Sequence, residues 1–309
     1  MAALPRVVFV AGKGGVGRSS VAAALGACFA NRGENTLIVE WTLEDPIAPW
    51  FGQRPAGHQA QELEHRLWAM NFSLDETLRE YFVGHLKLRL LHDLVIANSH
   101  LQRLIHTGPG IAELLFCGRL FWLLTLAREE AGLDYQRIIV DAPATGHGAA
   151  LFGLPKMLSS FDTAGLLSLE RERVTRMFAD PALTGAMVVT LAEELAVEET
   201  MELLPRLRLD LGRPALGLVV NRGAGRFFAG EEAPPWLARL TESPHTAAVL
   251  RSVYSGLLRR KERELRLRRD DLASLGTCSL DDELLAQGAA SPLAIVRHMA
   301  RELDDWLPR

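Results

Sequence analysis

Gly12-Lys13-Gly14-Gly15-Val16-Gly17-Arg18-Ser19-Ser20 is the stretch from which the fold of this chain is read. The apolar run Val7-Val8-Phe9-Val10-Ala11 before it has strand character, and Val21 to Ala30 after it is Ala-rich and helix-prone. The glycines therefore sit at a strand-to-helix turn. Glycines at such a turn let backbone N–H groups point inward at phosphate oxygens, and a helix N-terminus beginning near Ser19 adds partial positive charge beneath the same anion. A Gly-rich turn can also be only a tight turn. Here strand, helix, Lys13 and Ser19 fall in register with a nucleotide-binding loop, in which Ser19 would offer a hydroxyl to Mg2+. Arg18 is the discordant residue. The standard loop has a lysine there, a compact charge on the β- and γ-phosphates, whereas a guanidinium is planar, longer and suited to two-pronged contacts. Such an exchange is tolerated more easily by binding than by turnover.

The chain around this loop has 309 residues, 48% of them hydrophobic, enough for one large α/β domain or a domain with a sizeable insertion. Its 34 basic and 38 acidic residues give a formal net charge of -4, which offers no bulk attraction for nucleic acid. The opening residues lead straight into the first strand without a secretion-signal pattern, and no apolar run reaches membrane-crossing length, so a cytoplasmic location is expected. Cys28, Cys117 and Cys278 are odd in number and far apart, the reading of buried free thiols rather than a disulfide framework or a zinc site. The histidines are scattered, and no structural metal is expected.

Strand-like runs recur at Arg6 to Ala11, Thr36 to Glu40, Arg137 to Asp141, Ala186 to Thr190 and Leu216 to Asn221, with a shorter candidate at Leu67 to Phe72. Runs rich in Val, Ile and Leu suit strands buried on both faces, and helical segments between them give a mostly parallel sheet flanked by helices. The expected organisation is one domain over residues 1–309 with helical subdomain elements at 73–133 and 156–180. Gly108-Pro109-Gly110 divides the first of these, and Pro155 and Pro181 bracket the second. The charged run Arg259 to Arg269 is interrupted or closed by Glu262, Glu264, Asp270 and Asp271, so local ion pairing on a solvated helix face accounts for it. Pro292 to Leu307 is amphipathic, and its acidic residues favour core packing over a lipid surface.

Arg137-Ile138-Ile139-Val140-Asp141-Ala142-Pro143-Ala144-Thr145-Gly146-His147 is a buried strand that ends in a carboxylate and a Gly-containing loop. Alone, Asp141 is equally a turn residue. Read together with the glycine loop it becomes the metal-side acid, because phosphates sit above the C-terminal ends of a parallel sheet.

These motifs resemble those of the arsenite-pump and tail-anchored-protein-targeting ATPase family (ArsA-like), within the deviant phosphate-loop group that also holds the MinD and ParA ATPases. GKGGVGRSS resembles the loop with its added signature lysine, DAPATGH the second switch, VVTLAEELAVEET the strand and helix after the helical region, and LGLVVNR the adenine-side strand. GPGIAELL in the helical insertion favours this family over MinD and ParA, and the likeness runs from about Arg6 to Arg222. The resemblance implies a P-loop NTPase fold with a helical insertion, ATP and Mg2+ as cofactors, and a dimer in which Lys13 reaches the partner's phosphates. It further implies that Gly12, Gly14, Gly15, Val16, Gly17, Arg18, Ser19 and Ser20 surround phosphates, that Ser19 and Asp141 hold the metal, and that Asn221 reads the adenine edge. As sequence alone, Asn221 is equally a turn-forming residue.

Departures from the pattern are as informative. The family's first switch carries an Asp that orients the attacking water, and ungapped matching puts Thr42 there. Thr cannot act as the general base, and the nearby carboxylates Glu40, Glu44 and Asp45 are alternatives that spacing does not separate. The paired cysteines of targeting factors and a cysteine cluster for arsenite are both absent. A Met-rich client groove is matched only by Met157 and Met177 among Leu158, Phe161, Leu166, Leu167 and Leu169, a pattern that equally packs on its own domain.

Three functional expectations follow. The first is a dimeric, slowly hydrolysing Mg-ATP switch that couples nucleotide state to a helical client or partner surface. In the second, a catalytically silent subunit completes a dimer with a related competent ATPase. The third is a MinD-like surface positioner acting through the terminal helix. No nucleic-acid partner is expected, and membrane association is not favoured.

Overall fold

The computed structural model describes residues 4–42, 45–80, 108, 110–141, 145–159, 166–223, 244–269, 275–281 and 291–308. Along the chain these form β1 (Val7–Ala11), α1 (Arg18–Asn31), β2 (Thr36–Glu40), a one-turn α2 (Ile47–Trp50), β3 (Gln61–Glu64), β4 (Leu67–Asn71) and α3 (Leu74–Arg79). There follow α4 (Ile111–Thr125), α5 (Ala127–Ala131), β5 (Arg137–Asp141), α6 (Thr145–Ser159), α7 (Leu166–Ala179), β6 (Thr184–Leu191) and α8 (Glu194–Leu211). The last elements are β7 (Gly217–Gly223), α9 (Pro244–Arg269), β8 (Thr277–Asp281) and α10 (Pro292–Trp306).

The strands make one eight-stranded sheet in the order β3-β4-β2-β5-β1-β6-β7-β8, parallel throughout except for β3, which runs antiparallel to β4. β1 lies between β5 and β6, so the chain leaves it toward both edges, and ligands of open α/β sheets bind above the strand ends at such a reversal. Alternate side chains feed two cores. Val7 and Phe9 join Leu120, Phe152, Met177 and Leu207 on one face, while Val8 and Val10 pack with Leu25, Phe29 and Leu303 on the other. Burial on both faces is why these strands read as unbroken apolar runs. It also explains α1, whose residues Val21 to Phe29 are buried all round.

The expected parallel sheet with flanking helices is present, and α10 covers the predicted terminal helix. The structure adds two strands that the sequence pattern does not announce, β3 and β8, at the two edges of the sheet. The helical segment expected over 156–180, with Pro155 near its start, is described as the end of α6 followed by α7. Pro155 lies inside α6, and α7 is a separate helix. An interior proline costs about 3 kcal/mol through its missing N–H and ring clash. Here Leu151, Phe152, Leu154 and Leu158, all at most 5% exposed, hold that turn in the core. Of the 73–133 insertion, α3, α4 and α5 are seen, and the expected helix over Leu78 to His106 falls mainly outside the described residues. In the charged run, Arg260 and Arg263 pair with Glu193 and Glu194 at the start of α8, at 2.8 and 3.0 Å, so for these two the ion pairing is between elements rather than within the helix.

Candidate nucleotide site

The loop between β1 and α1 is shaped by its neighbours. Gly12, at φ 155°, approaches β6 so closely that a Cβ would strike the Val189 carbonyl. Gly17, at φ 90°, is the left-handed residue that caps α1, and a Cβ there would strike the Asn221 side-chain amide. Gly14 and Gly15 form the exposed apex, while Val16 is 1% exposed and anchors the loop in the core. Among the described residues no side chain caps the N-terminus of α1, and its first turn holds no acidic residue. Its opening N–H groups therefore have no carboxylate or hydroxyl competing with an incoming anion.

Ser19, in the first turn of α1, donates its hydroxyl to Asp141 Oδ2 at 2.5 Å. Asp141 ends β5, 1% exposed, and its Oδ1 has no hydrogen-bond partner among the described residues. Burial raises the Asp141 pKa, opposed by the Ser19 hydroxyl and the Arg18 charge. A half-satisfied buried carboxylate beside a hydroxyl is an oxygen-only donor pair that fits a hard divalent cation. Arg18 is itself partly desolvated, which lowers its pKa, while the charge of Asp141 raises it. It stays a cation across the physiological range.

Next to Asp141 in the sheet register stands Glu40, the last residue of β2. It is fully buried, and the nearby Ile47 N–H only partly offsets what burial does to its carboxyl. Burial, contact with Asp45 and the charges of Asp45 and Asp141 push its pKa up to about 11, so it is a neutral acid that shares its proton with Asp45. Asp45 goes the other way. Burial alone would raise it, but the Glu40 hydrogen bond and the backbone N–H groups of Ala56, Ala48 and Ile47 hold it below the ordinary range. Its Oδ1 accepts from Ile47 N at 2.9 Å and Ala48 N at 3.2 Å, and its Oδ2 from Ala56 N. Thr42 is held by its backbone: its N–H donates to Asn71 Oδ1 at 3.2 Å, and Asn71 Nδ2 donates to its carbonyl at 3.0 Å. Glu44 lies outside the described residues.

Lys13 pairs with Glu199 of α8 at 2.8 Å, both side chains partly exposed. Glu199 lies in VVTLAEELAVEET, and nothing in the spacing of that segment says that this turn of α8 returns to the loop. Asn221, near the end of β7, donates from Nδ2 to the Val16 carbonyl at 2.8 Å. Thus the structure brings Gly12 to Ser20, Glu40, Asp45, Asp141 and Asn221 to one end of the sheet, around the reversal at β1.

On the helical side, Met177 is fully buried in the core, and Met157 packs against Gly110. The open face between α6 and α7 encloses about 780 Å³ lined by Pro155, Leu169, Thr175 and Ala179 together with Arg171 and Arg176. Leu169 is 52% exposed there. Phe161 lies outside the described residues. All three cysteines are buried thiols outside any disulfide. Among the described residues no helix is long and apolar enough to cross a membrane.

The family model described as anion-transporting ATPase matches residues 5–168, just over half of the chain. ATPase BagA of Mycobacterium tuberculosis is 28% identical over 264 residues, covering 82% of this chain and 73% of that protein. ATPase GET3B of Arabidopsis thaliana is 24% identical over 261 residues, covering 68% of this chain and 62% of its own. ATPase ARSA1 of Chlamydomonas reinhardtii is 26% identical over 280 residues, covering 71% of this chain and 35% of its own.

Proposed function

The chain belongs to the anion-transporting ATPase family, a nucleotide-binding ATPase family, and from that premise we propose that it is a dimeric MgATP-dependent switch with slow turnover. The single observation that carries the reading is the Ser19–Asp141 pair beside the uncapped N-terminus of α1. In this reading the loop N–H groups from Gly12 to Ser20 bind the triphosphate, and Arg18 places its charge on the phosphate side of the site. Ser19 Oγ and the Asp141 carboxylate would hold Mg2+, which supplies charge neutralisation at the phosphate oxygens. Lys13 exchanges Glu199 for the phosphates of a second protomer, and Asn221 faces the base.

Slow turnover follows from what surrounds the attacking-water position. Thr42 brings no carboxylate, Glu40 keeps its proton, and Asp45 is occupied by three backbone N–H groups. Neither acid is available to take a proton from water without breaking a buried contact. The helical elements α3, α4, α6 and α7 are then the parts whose arrangement the nucleotide biases, and the face around Leu169 is the candidate client surface.

Calorimetry with MgATP tests the premise, and phosphate release tests the turnover. Binding together with slow release is the expected result, and Arg18→Lys is expected to raise the rate. Absence of any MgATP association overturns the reading. A second reading is favoured by the pairing of Thr42 and Arg18 with an intact Lys13: a silent subunit that lends its lysine to a related, competent ATPase. MgATP binding without release by the chain alone, followed by stimulation of such a partner, selects it.

A further inference from the structure

Asn221 does more in this structure than stand near a base. Its Nδ2 donates to the Val16 carbonyl at 2.8 Å, and its Oδ1 accepts from the Arg222 N–H at 3.0 Å. Arg222 itself is a non-glycine residue at φ 53°, in the left-handed region. Such a conformation is disfavoured for a residue with a Cβ and persists where surrounding contacts hold it. The amide is therefore oriented from behind and aimed at the loop. Its nitrogen fills the space where a side chain on Gly17 would otherwise lie. On the far side of the loop, Gly12 rests against the Val189 carbonyl of β6. The glycine loop is thus gripped between two strands, by backbone at one end and by one amide at the other.

Resting on the nucleotide-binding reading above, we propose that Asn221 is a positioning residue for the phosphates, holding the Val16–Gly17 peptide so that the loop is preformed before ligand arrives. A primary amide has two hydrogens and two lone pairs. Among the described residues one of each is used, which leaves the other pair for a base edge, so bracing and base contact are separate roles of one side chain. Preformation matters because a loop that must be ordered on binding loses affinity to that ordering. The effect belongs to the triphosphate rather than to the base. Val16 is in the core and Gly17 starts α1, so loss of the brace loosens the entry to the helix, where Val21 N–H bonds to the Gly17 carbonyl at 3.0 Å.

The test uses the full-length chain with Asn221→Ala and Asn221→Asp, the second keeping the acceptor for Arg222 while removing the donor to Val16. In nucleotide-free protein, hydrogen exchange over residues 12–22 is expected to accelerate roughly fivefold in both variants, the worth of about one net hydrogen bond, with β7 unchanged. Affinity for ATP and for inorganic tripolyphosphate is expected to fall by the same factor, roughly five- to tenfold. Unchanged exchange in the 12–22 segment overturns the proposal. So does a loss confined to ATP with tripolyphosphate unaffected, which assigns Asn221 to the base alone. If the unsubstituted protein binds neither ligand, the nucleotide reading fails, while the exchange experiment still decides whether the amide braces the loop.

Discussion

Replacing Glu40 by Gln should stabilise the nucleotide-free protein at neutral pH, by an amount that grows with pH. In the folded chain the Glu40 carboxyl titrates near 11, raised by burial, by Asp45 and by the charge of Asp141, against an ordinary value of 4.5 in the unfolded chain. Below pH 4.5 both states are protonated and the difference has no effect. Above it the unfolded chain releases its proton and the folded chain does not, so stability is lost as pH rises through the interval up to the folded value. Each pH unit is worth about 1.4 kcal/mol, and the 2.5 units between 4.5 and 7 amount to about 3 kcal/mol as an upper bound. Gln has the shape of the protonated acid and no proton to lose. Its added N–H can face the Asp45 carboxylate, but a second N–H finds no acceptor, an offset of about 1 kcal/mol. The net expectation is a gain of about 2 kcal/mol at pH 7 that turns into a loss of about 1 kcal/mol at pH 4.5, where only the offset remains.

Urea denaturation in magnesium-free buffer at pH 4.5, 6, 7 and 8, followed by far-UV circular dichroism, measures this directly. The difference between Glu40→Gln and the parent chain should widen with pH. Parallel pH profiles would refute the reasoning, because they would mean that Glu40 is ionised in the folded state. A uniform loss of stability in the variant would refute it as well.

Other expectations follow from single contacts. Arg32 binds the C-terminal helix through Asp304 Oδ1 at 2.5 Å and through the carbonyls of Asp304 and Pro308 at 2.9 and 2.7 Å. Arg32→Ala should cost about 2–3 kcal/mol in denaturant unfolding, since it leaves several partly buried acceptors unpaired, and a loss below about 0.5 kcal/mol would mean the contacts are idle. Glu199→Ala should change stability by less than about 1 kcal/mol, as its pair with Lys13 is partly exposed. It should also tighten MgATP binding in calorimetry by freeing Lys13 from its present partner, and weaker binding would count against an exchange of partners.

How far the chain could be read without its structure depended on what each segment buries. β1, β2, β5, β6 and β7 are packed on both faces, and their apolar runs identify them. β3, Gln61-Glu62-Leu63-Glu64, buries only Leu63 at the sheet edge, so its composition is that of a loop. β8 is five residues with polar positions and pairs with β7 through an irregular register, so no period emerges. Pro155 misleads because a proline argues locally for a helix boundary, whereas four core residues around it decide otherwise. The glycine loop and Asp141 were legible because their spacing is local. The Lys13–Glu199 pair was not, since it depends on how α8 returns across β6. Glu40 reads as a charged residue among candidate bases, and only its depth in the sheet makes it neutral.

That neutrality bears on the anion the site is built for. Asp141 stands beside Val10 of β1 and against Arg18, while the Asp45 carboxylate lies against Glu40, Asp141's neighbour in β2. A third ionised acid in the same desolvated space would repel the phosphates as well as its neighbours, at an effective dielectric where one unit charge matters by kilocalories. Keeping its proton removes that repulsion and lets Glu40 hydrogen-bond Asp45, the residue that fixes the turn of α2 and the backbone of Ala56. The acid at position 40 is then part of the scaffold behind the loop rather than of the chemistry in front of it. On the proposed reading, turnover would draw its water-orienting group from elsewhere, so slow hydrolysis and a retained binding site would be compatible in one chain.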